Sequence, residues 1–229
     1  MQANALDHVA LWVADRDRLA DFACRHLGMH VIERTDDFTL VGADARRGKL
    51  TLFAAEGARE PGVLERVVLR VSDLERATAR LPAGLAVERG DDGLSRFDAP
   101  EGLGLGLVER TSPEVEYDID QVVLRVPDPG ETAEELAGLG LFPDGDGRLV
   151  VGDKSIGLVQ AEASEGERPL LNHIALLVDS GQQQLEEARR RGIEVAEVRD
   201  AANTFAVFVW GPNRIKIEYV EHKPTFSLV

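Results

Sequence analysis

The sequence predicts an α+β fold made of four successive β-α-β-β-β modules, and three observations predict it. A hexapeptide recurs with its pattern intact: Leu6-Asp7-His8-Val9-Ala10-Leu11, Leu64-Glu65-Arg66-Val67-Val68-Leu69, Ile119-Asp120-Gln121-Val122-Val123-Leu124 and Leu171-Asn172-His173-Ile174-Ala175-Leu176. Each copy opens a segment of about 55 residues, and a fixed period of that size marks a repeated structural unit. Gly28, Gly84, Gly140 and Gly192 follow helix-like segments at intervals of 56, 56 and 52 residues, so the period recurs in a second residue type. The rest of each segment alternates apolar and polar side chains, as in Ile215-Lys216-Ile217-Glu218-Tyr219, the pattern of strands with one buried face.

Each element has a local reason. The hexapeptides are rich in Val, Ile and Leu and read as opening strands. Asp15, Asp73, Asp128 and Asp179 follow them, placed where a short acidic side chain accepts hydrogen bonds from the free N–H groups of a starting helix. Helical segments are expected at 19–24, 74–81, 133–139 and 182–191, each closed by its glycine, which reaches the left-handed conformation at little cost. Three short strands then follow, at 30–34, 38–42 and 49–54 in the first module. In the fourth they fall at 194–199, 204–209 and 214–220, with Gly211-Pro212-Asn213 as a tight turn. Modules 1 and 2 occupy 1–112, and modules 3 and 4 occupy 113–229.

Composition narrows the function classes. In 229 residues, 44% hydrophobic and 29% charged content fits a soluble globular chain. A net charge of −15 repels phosphate backbones, which argues against a nucleic-acid partner. Arg189-Arg190-Arg191 follows Glu186-Glu187 on an expected helix and reads as a solvated face. The single cysteine, Cys24, forms no intrachain disulfide and reads as core packing. The N-terminus has no signal-peptide pattern and no apolar run spans a membrane, so no membrane partner and a cytoplasmic location are expected. A homodimer is compatible with all of this.

The slot of His8, Arg66, Gln121 and His173 is one structural position visited four times, and two of the 5 histidines fall in it. Glu218 stands on the inward face of the last strand, where a carboxylate is costly unless paired or metal-bound. Two histidines and one carboxylate have the chemistry of a facial metal triad. The alternative is a pair of core histidines suited to strands. His26 and His30 flank a helix stop and read as surface or capping residues. His222, placed just past the last strand, is an auxiliary candidate.

The repeat resembles the vicinal oxygen chelate superfamily of glyoxalases, bleomycin-resistance proteins and extradiol dioxygenases. The Leu-X-His-(Val/Ile)-Ala-Leu openings and the ending Trp210-Gly211-Pro212-Asn213-Arg214-Ile215-Lys216-Ile217-Glu218 carry the resemblance. It implies modules paired into two open β-barrels, with helices outside and the metal inside. Pairing neighbours would offer Gln121, His173 and Glu218. Pairing modules 1 with 4 and 2 with 3 would offer His8, His173 and Glu218, and is favoured because it unites both histidines.

The resemblance also implies a divalent ion, Fe(II) or Mn(II) by preference, with Zn(II) or Ni(II) possible, and a small-molecule substrate such as an aromatic diol. Glyoxalase-type sites add a fourth ligand; aligning Lys49–Phe53 end to end on Arg214–Glu218 puts Phe53 there. Open positions of that kind suit a ring-cleaving dioxygenase of a catechol or hydroquinone. Such enzymes place a tyrosine about ten residues before the glutamate, where this chain has Phe208. Hydroquinone-cleaving relatives carry a histidine where this chain has Asp7 and Asn172. Asp7, Arg199 and His222 are therefore the candidates for acid–base work. A metal-dependent lyase or isomerase of the glyoxalase kind and a metal-free binding protein of the bleomycin-resistance kind stay open.

Overall fold

In the computed structural model, which describes residues 1–145, 148–162 and 168–228, every hexapeptide lies in the first strand of a module. Module 1 runs β1 (Ala5–Val13), α1 (Arg16–His26), β2 (His30–Arg34), β3 (Phe38–Gly42) and β4 (Lys49–Ala54). Module 2 runs β5 (Leu64–Val71), α2 (Leu74–Ala79), β6 (Glu88–Arg89), β7 (Leu94–Asp98) and β8 (Gly104–Glu109). Module 3 runs β9 (Asp118–Val126), α3 (Pro129–Gly138), β10 (Phe142–Pro143), β11 (Arg148–Val151) and β12 (Lys154–Gln160). Module 4 runs β13 (Leu171–Leu177), α4 (Gly181–Arg191), β14 (Val195–Asp200), β15 (Thr204–Trp210) and β16 (Lys216–His222).

Three of the four expected caps form: Asp15, Asp73 and Asp128 accept from the backbone N–H of Arg18, Arg76 and Glu131. In module 4 the cap is Ser180, because the helix starts at Gly181, and Asp179 instead accepts from the Asn4 side chain at 2.7 Å. α3 begins before the expected 133, at Pro129, whose fixed φ suits the first turn. The last strand starts later than expected, since residues 212–214 form a short 3-10 turn. It also runs further, so that His222 is in the strand and pairs with Thr204.

The strands make two open eight-stranded sheets. The first has the order β14-β15-β16-β13-β1-β4-β3-β2 and joins modules 4 and 1; the second, β10-β11-β12-β9-β5-β8-β7-β6, joins modules 3 and 2. The seams are the antiparallel pairs β1–β13 and β5–β9, while in each module the first and last strands run parallel. Helices α1 and α4 pack on the first sheet, and α2 and α3 on the second. No helix among the described residues is long and apolar enough to cross a membrane.

One apolar cluster holds residues of all four modules. Polar ties cross between the sheets as well. The buried Lys154 Nζ lies 2.7 Å from Asp118 Oδ1 and donates to the Leu6 carbonyl on β1 at 3.2 Å. The fully buried Tyr219 donates its hydroxyl to the Leu139 carbonyl at 2.7 Å.

Candidate metal centre

His8 on β1 and His173 on β13 face each other across the seam of the first sheet, and Glu218 reaches them from β16. His8 Nε2 is 3.1 Å from His173 Nε2 and 3.3 Å from Glu218 Oε2, and His173 Nε2 is 2.8 Å from the same Oε2. Among the described residues this is the one group of three or more His, Cys, Asp or Glu whose ligand atoms all lie within 4.8 Å of one another. His173 and Glu218 are buried and His8 is nearly so.

The other ring nitrogens are engaged. His8 Nδ1 is 2.7 Å from Asp7 Oδ1, and His173 Nδ1 is 3.0 Å from Asn172 Oδ1. With each Nδ1–H donating outward, both Nε2 atoms are turned toward Glu218. Metal-bound histidines are commonly oriented in this way. Two imidazole nitrogens and one carboxylate oxygen brought this close together are a donor set that would hold a divalent ion and leave positions open.

Electrostatics sharpen the fit. Burial would raise the Glu218 pKa, but the charge and hydrogen bonds of His173 and His8 reverse this and hold it well below the usual carboxylate range. Burial pulls His8 down, yet hydrogen bonds to Asp7 and Glu218 prevail and raise it to about 9. Burial lowers the His173 pKa, only partly offset by Glu218. The cluster thus holds an ionised carboxylate and one extra proton at the point where a cation would sit.

Asp7 is a node behind His8. Burial alone would raise its pKa, but the Lys49 ammonium at 2.7 Å, with hydrogen bonds from His222 and His8, holds it well below its ordinary value. His222 Nε2 is 3.0 Å from Asp7 Oδ2, and its ring stacks on Phe226 at 4.0 Å. Lys49 carries no signal in the sequence, because a lysine opening a strand ordinarily reads as a solvated end. Its role depends on strand pairing, which sets it directly beside His8.

On the other side of the triad lies a cavity of about 450 Å³. His173 reaches it between the aromatic rings of Trp12, Phe53 and Phe208, and Arg199, Lys216, Asn172, Glu197, Asp36, Asp37 and Ala54 complete the lining. Phe208 meets His173 edge-on with ring centroids 5.1 Å apart. Of the three acid–base candidates, Arg199 lines the cavity, held at 2.5 Å by Glu197, whereas Asp7 and His222 belong to the cluster behind His8.

Strand pairing corrects the fourth-ligand slot. Ile174 pairs with Ile217 and Ala175 with Glu218, just as Val9 pairs with Leu50 and Ala10 with Thr51. Thr51, not Phe53, is therefore the counterpart of Glu218. An end-to-end alignment misplaces it because the 3-10 turn at 212–214 uses up residues before β16 starts. Phe53 instead becomes a cavity wall. In the second sheet the same position is Gly106 and Gly157, beside Arg66 and Gln121. Those glycines bear no donor, and Gln121 fills the space over Gly157, its Nε2 lying 2.9 Å from where a Cβ would stand.

Residues 5–90 match the family model for the Glyoxalase/Bleomycin resistance protein/Dioxygenase superfamily. No curated protein matches the chain. Among solved structures, a proposed dioxygenase from Bacillus subtilis subsp. subtilis str. 168 is similar at 20% identity and a TM-score of 0.82, covering 98% of this chain and 87% of that one. Glyoxalase I from Zea mays is similar at 17% identity and a TM-score of 0.71, covering 95% and 92%. The cppA protein from Streptococcus pneumoniae TIGR4 is similar at 14% identity and a TM-score of 0.65, covering 96% and 98%. At these identities the likeness is one of fold. Residues 5–90 thus match the model of the Glyoxalase/Bleomycin resistance protein/Dioxygenase superfamily, and the chain as a whole has the fold of these solved structures.

Proposed function

We propose that the chain is a metal-dependent vicinal oxygen chelate enzyme, and that its reaction is the ring cleavage of a catechol or hydroquinone by O₂. The observation that carries this reading is the clustered His8–His173–Glu218 set, whose His173 lines an aromatic-walled cavity, with Thr51 in place of a fourth carboxylate. A divalent ion bound there, Fe(II) or Mn(II) by preference and Zn(II) or Ni(II) as possible occupants on isolation, would supply Lewis acidity and open positions for a chelating diol.

The chain's own residues would do the rest. Trp12, Phe53 and Phe208 would hold a flat ring by stacking and edge contacts and keep water from it. Arg199 would place a positive charge on the wall where phenolic oxygens lose protons. Asp7 and His222 would act through His8, since neither lines the cavity.

A non-oxidative lyase or isomerase is the second reading, favoured by Phe208: ring-cleaving relatives have a hydroxyl there. Protein loaded with Fe(II) without oxygen, then mixed with catechols and hydroquinones in an oxygen electrode, tests the choice. Slow oxygen uptake is expected, rising about tenfold or more in Phe208→Tyr as a hydrogen-bond donor is restored. No uptake from either protein would pass the lead to the lyase or isomerase. A protein that takes up no metal at all would instead be a binder of the bleomycin-resistance kind.

A further inference from the structure

Lys49 has almost no access to water, 3% of its surface remaining exposed, and lysine is seldom buried unless a partner compels it. Its ammonium lies 2.7 Å from Asp7 Oδ1, the same oxygen that accepts the His8 Nδ1–H at 2.7 Å. The pairing of β1 with β4 sets Lys49 directly opposite His8.

The repeat supplies an internal comparison. In the fourth module the residues matching Asp7, His8 and Lys49 are Asn172, His173 and, by the Ile174–Ile217 pairing, Lys216. Asn172 is neutral, and Lys216 lines the cavity with its ammonium 5.2 Å from the Trp210 ring centroid. A lysine thus stands at both places, but only in module 1 does it turn inward onto a carboxylate. The two histidines of one triad are consequently held by different means.

We propose that Lys49 is a positioning residue for metal binding. It clamps the Asp7 carboxylate, and the clamped carboxylate fixes the His8 ring with Nε2 toward His173 and Glu218. His8 becomes the anchoring ligand, and His173, oriented only by a neutral amide, the more yielding one. The inference rests on reading His8, His173 and Glu218 as metal ligands. It differs from a purely structural tie between β1 and β4 in one respect: the effect of Lys49 on metal binding must pass through Asp7.

Co(II) affinity, measured by competition with a chelator alongside thermal melts, tests this in the parent, Lys49→Met, Asp7→Asn, the double variant and His173→Ala. Lys49→Met and Asp7→Asn should each weaken binding about 10- to 100-fold. The double variant should bind within about twofold of Asp7→Asn, because the two residues act as one unit. A folded Lys49→Met that binds Co(II) as tightly as the parent overturns the proposal. So does a double variant that binds well below Asp7→Asn. If Lys49→Met does not fold, the double variant decides, since it leaves neither charge unpaired. His173→Ala separates the two levels. Undiminished binding in that variant, or none in the parent, removes the metal site itself, whereas loss there with no effect at Lys49 removes only the role of Lys49.

Discussion

On the proposed reading, the extra proton on His8 would set the pH at which the centre takes a metal. Burial lowers its pKa, but bonds to Asp7 and Glu218 raise it to about 9, and a metal at Nε2 must displace that proton. Affinity should therefore climb about tenfold per pH unit from pH 7 toward 9 and level off above it. Co(II) titrations in weakly coordinating buffers check this, and an affinity flat across the range contradicts it. The same shift acts on the metal-free fold with the opposite sign. Because the folded pKa lies above the unfolded value of about 6.5, its stabilisation is complete below that value and is lost as pH rises through about 9. Metal-free protein should thus lose stability, and the metal-loaded protein gain relative to it, over one interval of pH.

Individual elements show what single residues must permit. The β3–β4 turn passes so close to β9 that a Cβ on Gly48 would stand 2.7 Å from the Tyr117 carbonyl oxygen, and Gly48 has φ 63°. Gly48→Ala should cost about 2 kcal/mol or more, measured by urea unfolding; an unchanged midpoint would show that the turn yields. Strand and helix order was legible because the hexapeptide and the glycine stops repeat independently, and the first module's strands at 30–34, 38–42 and 49–54 coincide with β2, β3 and β4. What was not legible depends on contacts between distant strands. Ser180 displaces Asp179 as cap by a one-residue shift, Thr51 displaces Phe53 through pairing register, and Lys49 gains its meaning only beside His8. His8, His173 and Glu218 were visible because residue chemistry and repeat position coincided; the Asp7–Lys49–His222 cluster was not, because it joins strands whose register no local pattern encodes.

At the scale of the molecule, polar ties join the two sheets alongside their shared core. Lys154 and Asp118, on neighbouring strands of the second sheet, form a buried pair from which Lys154 also reaches the Leu6 carbonyl of the first, and removing Lys154 leaves the buried Asp118 carboxylate to the Arg47 guanidinium at 3.6 Å and the Ile119 N–H. Lys154→Met should cost about 3 kcal/mol and lower the midpoint of the whole chain, since the core is shared by all four modules; unfolding in two separate steps would show that the sheets are independent. The pairing of modules 1 and 4 also decides which candidate ligands come together. Gln121 lies in the other sheet, its side chain over Gly157, so the neighbouring-module ligand set is not assembled. The most direct measurement is the metal content of parent, His8→Ala, His173→Ala and Gln121→Ala proteins purified without chelators, with folding checked by circular dichroism. About one divalent ion per chain is predicted in the parent and in Gln121→Ala, and loss in both histidine variants. Full metal content in folded His8→Ala or His173→Ala would contradict it.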